Sequence, residues 1–130
     1  EAAVKSDRRI LMQETDDKVR HTSRIILNFL HCQAEFAASG EETVARFSAA
    51  QNDPQPYAAV LIAWSADRDE EVRRTIARLR EVDTNVRILV TVDYRDTVDE
   101  AAFLSIGASG MATKPFGVED TGNALRNLFL

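Results

Sequence analysis

Cysteine, histidine, glycine and surplus positive charge are all scarce in this chain of 130 residues, and each shortage closes off a class of function. A single thiol, Cys32, rules out an internal disulfide framework and a zinc site built from several thiolates. It suits a reducing compartment, and its position reads as a small buried residue near the end of a helix. Only two histidines occur. His21 and His31 fall on one helical segment, nearly three turns apart, too distant to share a metal, so both read as surface residues. Glycine is scattered over five positions. No G-x-G-x-x-G, P-loop or nucleophile elbow can be assembled from them. Acidic residues outnumber basic ones, 21 to 16, for a net charge of −5; that balance argues against nucleic-acid binding, which needs a basic face. No apolar run approaches the ~18 residues of a membrane span. The first residues, "EAAVKSDRR", lack the apolar core of a signal peptide. No membrane partner and a cytoplasmic location are the expectation.

What is present is a well-mixed globular composition, 45% apolar with interleaved charge, sized for one domain. Residues 1–7 are polar and read as a linker remnant ahead of a domain spanning 8–130. Within it, short apolar runs alternate with amphipathic segments. "RILM" is a brief strand. "DKVRHTSRIILNFLHC" sets Val19, Ile26, Phe29 and Leu30 on one helical side. "QAEFAAS" is extended, and "GEETVARFSAA" is a helix with Val44 and Phe47 inward. After the proline-broken loop "NDPQP", "AAVLIAW" is a run apolar on both faces, as in a covered parallel strand. "DEEVRRTIARLREV" places Val72, Ile76 and Leu79 inward. "VRILVTV" is a second buried strand, and "DTVDEAAFLSIGAS" is a helix with an Asp or Thr cap, stopping at Gly107. "GMAT" is a short strand, "KPF" a turn, and "VEDTGNALRNLFL" a last amphipathic helix. Five β-α alternations predict parallel strands, right-handed crossovers and helices on both faces.

In such a sheet chemistry belongs at the C-terminal strand ends. The acids "ETDD", residues 14–17, follow the first strand; they read as a magnesium site, since hard cations take several oxygens, or as an N-cap. Spacing favours the cap. Lys114 follows the fifth strand and reads as a phosphate-binding cation or a solvated charge. The arginines of the third helix, Arg73, Arg74, Arg78 and Arg80, have Glu70, Glu71 and Glu81 nearby and read as a solvated, paired face.

Taken together, "RRILM" running into acids, "AASGEETVARF", "YAAVLIAW" and above all "GASGMATKPF" resemble the receiver (CheY-like) domain of bacterial two-component signalling across residues 8–130. The resemblance implies a flavodoxin-like (βα)5 fold, a doubly wound parallel sheet of order 2-1-3-4-5. It also implies a site: two acids after strand 1 for magnesium, an Asp ending strand 3 as phospho-acceptor, a Thr or Ser ending strand 4, an aromatic in strand 5, and a lysine after it. This chain departs from that pattern. Glu14 and Thr15 stand where the acid pair belongs, Ala63 at the acceptor, Val92 at the Thr/Ser position (Thr91 only with a one-residue shift) and Met111 at the aromatic. Only Lys114 is kept.

A methyl group cannot be phosphorylated, and Asp67 and Asp69 lie too far along the loop to substitute. The resemblance therefore implies a degenerate pseudo-receiver, not an enzyme, with no cofactor and its magnesium site lost. It implies a regulatory domain of a larger hybrid histidine kinase or response regulator. Its partners would be a histidine kinase core, or a neighbouring receiver or output domain, met through helix 4, strand 5 and helix 5 (residues 97–106, Met111, residues 118–130). The alternative is a sensor of a nucleotide second messenger such as cyclic di-GMP. There Tyr94 would stack on a purine, Arg95 would pair with a guanine edge or phosphate, and Lys114 would add charge.

Overall fold

The computed structural model describes residues 8–114 and 117–130. The proposed linker, residues 1–7, and the Pro115 and Phe116 of the "KPF" turn lie outside the described residues. Five strands, β1 (Arg8–Gln13), β2 (Cys32–Ala37), β3 (Ala59–Ala63), β4 (Ile88–Asp93) and β5 (Gly110–Lys114), alternate with five helices. These are α1 (Asp17–Phe29), α2 (Gly40–Ala50), α3 (Asp69–Val82), α4 (Glu100–Leu104) and α5 (Val118–Leu128), with a short 3-10 turn at Ala66–Arg68 before α3. All strand pairs are parallel, in the order β2-β1-β3-β4-β5. The parallel pairing is that expected from the β-α alternation, and the order is the one the resemblance implied.

Strand residues alternate between two cores, because successive side chains leave opposite faces of a sheet. Leu11, Val60, Ile62, Val90 and Val92 pack under α2, α3 and α4, against Val44, Phe47, Val72, Ile76, Leu79 and Phe103. Ile10, Met12, Leu61 and Leu89 pack on the other face against Leu27 and Leu125 of α1 and α5. Full burial of each such aliphatic side chain is worth ~1.5–3 kcal/mol, and the runs of β3 and β4 are apolar below their ends except for the buried Thr91 of β4.

Helix starts follow local side-chain chemistry. The Asp16 carboxylate accepts hydrogen bonds from Lys18 N and Val19 N, Ser39 caps α2 through Glu42 N, and Asp99 caps α4 through Ala101 N. The cap reading of the 14–17 cluster thus falls on Asp16. Two glycines are demanded by geometry. Gly107 has φ +108, a region that strains other residues. At Gly40 a Cβ would fall 2.1 Å from Thr75 Oγ1, so the close approach of α2 to α3 requires its absence.

Three local expectations are corrected. Phe29 is 70% exposed instead of inward. The buried stripe of α1 is Ser23, Ile26 and Leu27, so the inward face is centred about a third of a turn away from Phe29. Cys32 is buried but opens β2, since α1 ends at Phe29. His31 also lies beyond α1, at φ +63 in the turn that reverses the chain. Both histidines are exposed, as expected.

Candidate functional site

Register brings the strand ends together. Ala63 pairs with Thr91, Thr91 with Ala112, and Asp93 with Lys114. By the alternation of faces, Ala63, Thr91, Asp93 and Lys114 all lie on the sheet face covered by α1 and α5. Val92 points the other way, into the α3 and α4 core. Glu14 directly follows β1, held there by its N–H donating to Ala37 O at 3.0 Å.

Glu14 is the centre of the cluster. It is 5% exposed, and both carboxylate oxygens are engaged. Oε2 accepts from Thr15 N and Asp16 N, each at 3.1 Å, and Oε1 accepts from Lys114 Nζ at 2.9 Å. A buried carboxylate needs such partners. Lys114 is correspondingly no solvated charge: the pair joins residues a hundred positions apart across the sheet top. Arg20 adds a further tie, its Nε donating to Glu14 O. Beside this pair opens a cleft of about 310 Å³, lined by Glu14, Asp16, Lys18, Ser23, Asp93 and Lys114.

These residues do not suit the magnesium that the fold family would place here. An octahedral cation needs several free oxygens. Glu14 already accepts three hydrogen bonds, Asp16 caps α1, Asp93 is paired with Arg95, and Ala63 carries no oxygen. Among the described residues no group of three or more His, Cys, Asp or Glu side chains is arranged to hold a metal ion.

The other acids near β3 are committed locally. Asp67 accepts from the Ser65 hydroxyl at 2.6 Å. Asp69 accepts from Trp64 Nε1 and Arg73 Nε, each at 2.8 Å, and these two donors hold its carboxyl below the ordinary range. Thr15 is exposed. Thr91 is fully buried, and among the described residues its hydroxyl has no hydrogen-bond partner. Met111 is half-buried against the α3 and α4 core.

Tyr94 and Arg95 sit in the loop after β4, both exposed. Arg95 closes on Asp93 with Nε to Oδ1 at 2.9 Å and Nη2 to Oδ2 at 3.1 Å. Those side-chain bonds, then the Arg95 backbone N–H, hold the Asp93 carboxyl down at about 2. The guanidinium edge that would read a guanine is thus already filled by a carboxylate.

Two features lay beyond the sequence reading. Asp93 joins the cleft because β4 runs one residue past the apolar stretch, to a position whose partner in register is Lys114. Arg80 is not part of a solvated face. It donates to Gly107 O at 2.9 and 2.7 Å, and also to the carbonyls of Thr84 and Val86, tying α3 to the turn before β5. Arg73 and Arg74 do pair within α3, with Asp69 and Glu70.

No protein-family model matches the chain, and no curated protein matches it. Solved structures do. A protein of Chloroflexus aurantiacus described as a response regulator superposes with TM-score 0.77 at 21% identity, covering 94% of this chain and 97% of that one. A response regulator receiver domain from Clostridium thermocellum gives 0.78 at 14% identity, with 93% of each chain covered. A CheY-like protein, TadZ, from Pseudomonas aeruginosa gives 0.75 at 14% identity, covering 94% and 99%. At this identity the likeness establishes architecture, and function must be argued from the site. The chain has the flavodoxin-like fold of receiver domains, with the strand order and the end-of-sheet crevice those domains share.

Proposed function

We propose that this chain is a receiver-like regulatory domain that does not accept a phosphoryl group, and that it acts through protein–protein contacts within a two-component pathway. The observation that carries this reading is the end of β3. Ala63 occupies the strand end on the same face as Glu14 and Lys114, and these two are already paired with each other at 2.9 Å. A methyl group has no lone pair to attack phosphorus. The lysine that would steady a phosphoryl oxygen is paired with Glu14. Loss of magnesium binding belongs to the same proposal, since Glu14 already accepts three hydrogen bonds and Ala63 brings no oxygen to the end of β3.

In this role the domain is one module of a larger signalling protein, a hybrid histidine kinase or a response regulator. It would meet a kinase core, or a neighbouring receiver or output domain, through α4, β5 and α5. The cyclic di-GMP alternative gains no support from the geometry at Arg95. The test is label transfer: incubation with a labelled small phosphodonor and magnesium is expected to leave the chain unlabelled. Acid-labile label retained on the protein overturns the proposal.

A further inference from the structure

The sheet order leaves two edges, β2 and β5, and they are finished differently. Successive residues of a strand turn their backbone groups to opposite neighbours. At β5, Tyr94 N donates to Lys114 O, so Lys114 and Ala112 face β4 while Met111 faces outward. The Met111 N–H is taken by the Glu100 carboxylate at 3.0 Å, which guards that edge. At β2, Glu14 N donates to Ala37 O, so Ala37, Glu35 and Gln33 face β1, while Phe36 and Ala34 face away. Among the described residues, nothing bonds the outward backbone groups of Ala34 or Phe36. The strand, "CQAEFA", has neither the proline nor the lysine that commonly blunts an exposed edge. Its one charge, Glu35, is held by Arg9 and Tyr57 of the same chain. A hollow of about 390 Å³ lies along this edge, lined by Arg24, Asn28, Cys32, Gln33, Ala34 and Glu35.

We infer that two copies of this chain pair through β2, antiparallel about a twofold axis, joining their sheets edge to edge. An axis normal to the sheet sets each residue opposite one on the same face. With Ala34 on the axis, its outward N–H and C=O bond their own counterparts. Gln33 then stands opposite Glu35 on both sides of the axis, where the side-chain amide can donate to the carboxylate. Phe36 comes opposite Cys32, in the hollow beside α1. An axis through Glu35 would instead set two carboxylates face to face, a destabilising pair. Polar complementarity therefore selects the register, and an edge whose single charge is already neutralised does not repel its own copy. The contact is isologous: it consumes the β2 edge of both chains, and assembly stops at the dimer. The inference does not depend on the missing phospho-acceptor, so the labelling result and the association result stand separately.

The test uses sedimentation of the intact chain. Wild type is expected to pass from monomer to dimer as concentration rises and to gain no further mass. Ala34→Pro removes an outward N–H that β1 does not use, a change that edge strands tolerate, and is expected to leave the chain monomeric. Gln33→Glu sets a second carboxylate opposite Glu35 and is expected to weaken the dimer several-fold. Thermal unfolding at low concentration, unchanged in each variant, confirms an intact fold; should Ala34→Pro unfold, the exposed Gln33→Glu decides alone. A wild type that stays monomeric at millimolar concentration overturns the inference. So does a dimer that is as tight in Gln33→Glu as in wild type, which would place the contact on another surface.

Discussion

Strand β1 carries an ion pair at each end, and the two are built differently. Near its start, Arg9 donates to Glu35 at 2.9 and 3.1 Å, to Gln55 O at 2.8 Å and to Asp53 at 3.2 Å. Its guanidinium lies 4.3 Å from the Tyr57 ring centre, and the Tyr57 hydroxyl donates to Glu35 at 2.6 Å. Just past its end, Glu14 holds Lys114 by a single contact and relies on two backbone N–H groups for the rest. The first is a redundant staple joining β1, β2 and the loop before β3. The second is a minimal closure beside an open cleft. The polar investment therefore sits where the fold needs stitching, and the strand ends where a receiver does its chemistry are left sparsely furnished.

The largest expected effect comes from breaking the staple. Arg9→Ala strips several charge-assisted hydrogen bonds and the packing on Tyr57 together, and should cost ~2–4 kcal/mol in urea unfolding. Lys114→Met tests the other end. It removes one bond from a nearly buried carboxylate that keeps its backbone donors, so ~1–2 kcal/mol is expected. A loss equal to that of Arg9→Ala would erase the contrast between the ends.

Proton linkage sharpens the same comparison. Arg9, first, and then Tyr57 hold the Glu35 carboxyl below its ordinary value, against the opposing effect of burial. A depressed carboxylate contributes stability that is full above its unfolded value of ~4.3 and disappears as pH falls through the folded value. Burial, then Glu35, raises the Tyr57 phenol. That contribution is full below ~10 and is lost as pH climbs through the raised value. Urea midpoints measured across both limbs should fall at the two extremes in wild type, and the acid limb should flatten in Arg9→Ala. The smallest effect belongs to the exposed Asp93–Arg95 pair. Arg95→Ala should move the Asp93 titration up from about 2 toward an ordinary carboxylate, seen by NMR, while the urea midpoint stays where it was.

Much of this architecture was legible in the chain because it rests on short-range rules. The runs around β3 and β4 read as covered strands, and Val72, Ile76 and Leu79 read as the inner face of α3; all three are fully buried. Phe29 misled because hydrophobic periodicity cannot distinguish an inward residue from an apolar one on the shoulder of the same helix. The helical pattern runs on through His31 and Cys32 although α1 ends at Phe29, where local propensity gives a weak boundary. The arginines of α3 looked equivalent in sequence, yet Arg80 faces carbonyls that come from the turn before β5, nearly thirty residues away.

At the candidate site the division is sharper. The sequence alone determined that β3 ends in a residue without a functional group, because identity at a position needs no geometry. It also determined the five β-α units, since the period of apolar residues follows from the shapes of helix and strand. Only the tertiary structure decided that Lys114 is bound to Glu14, that Asp93 shares their cleft, and that Thr91 instead of Val92 shares the face of Ala63. Those facts depend on register between strands distant in sequence, and register is set by how whole elements pack.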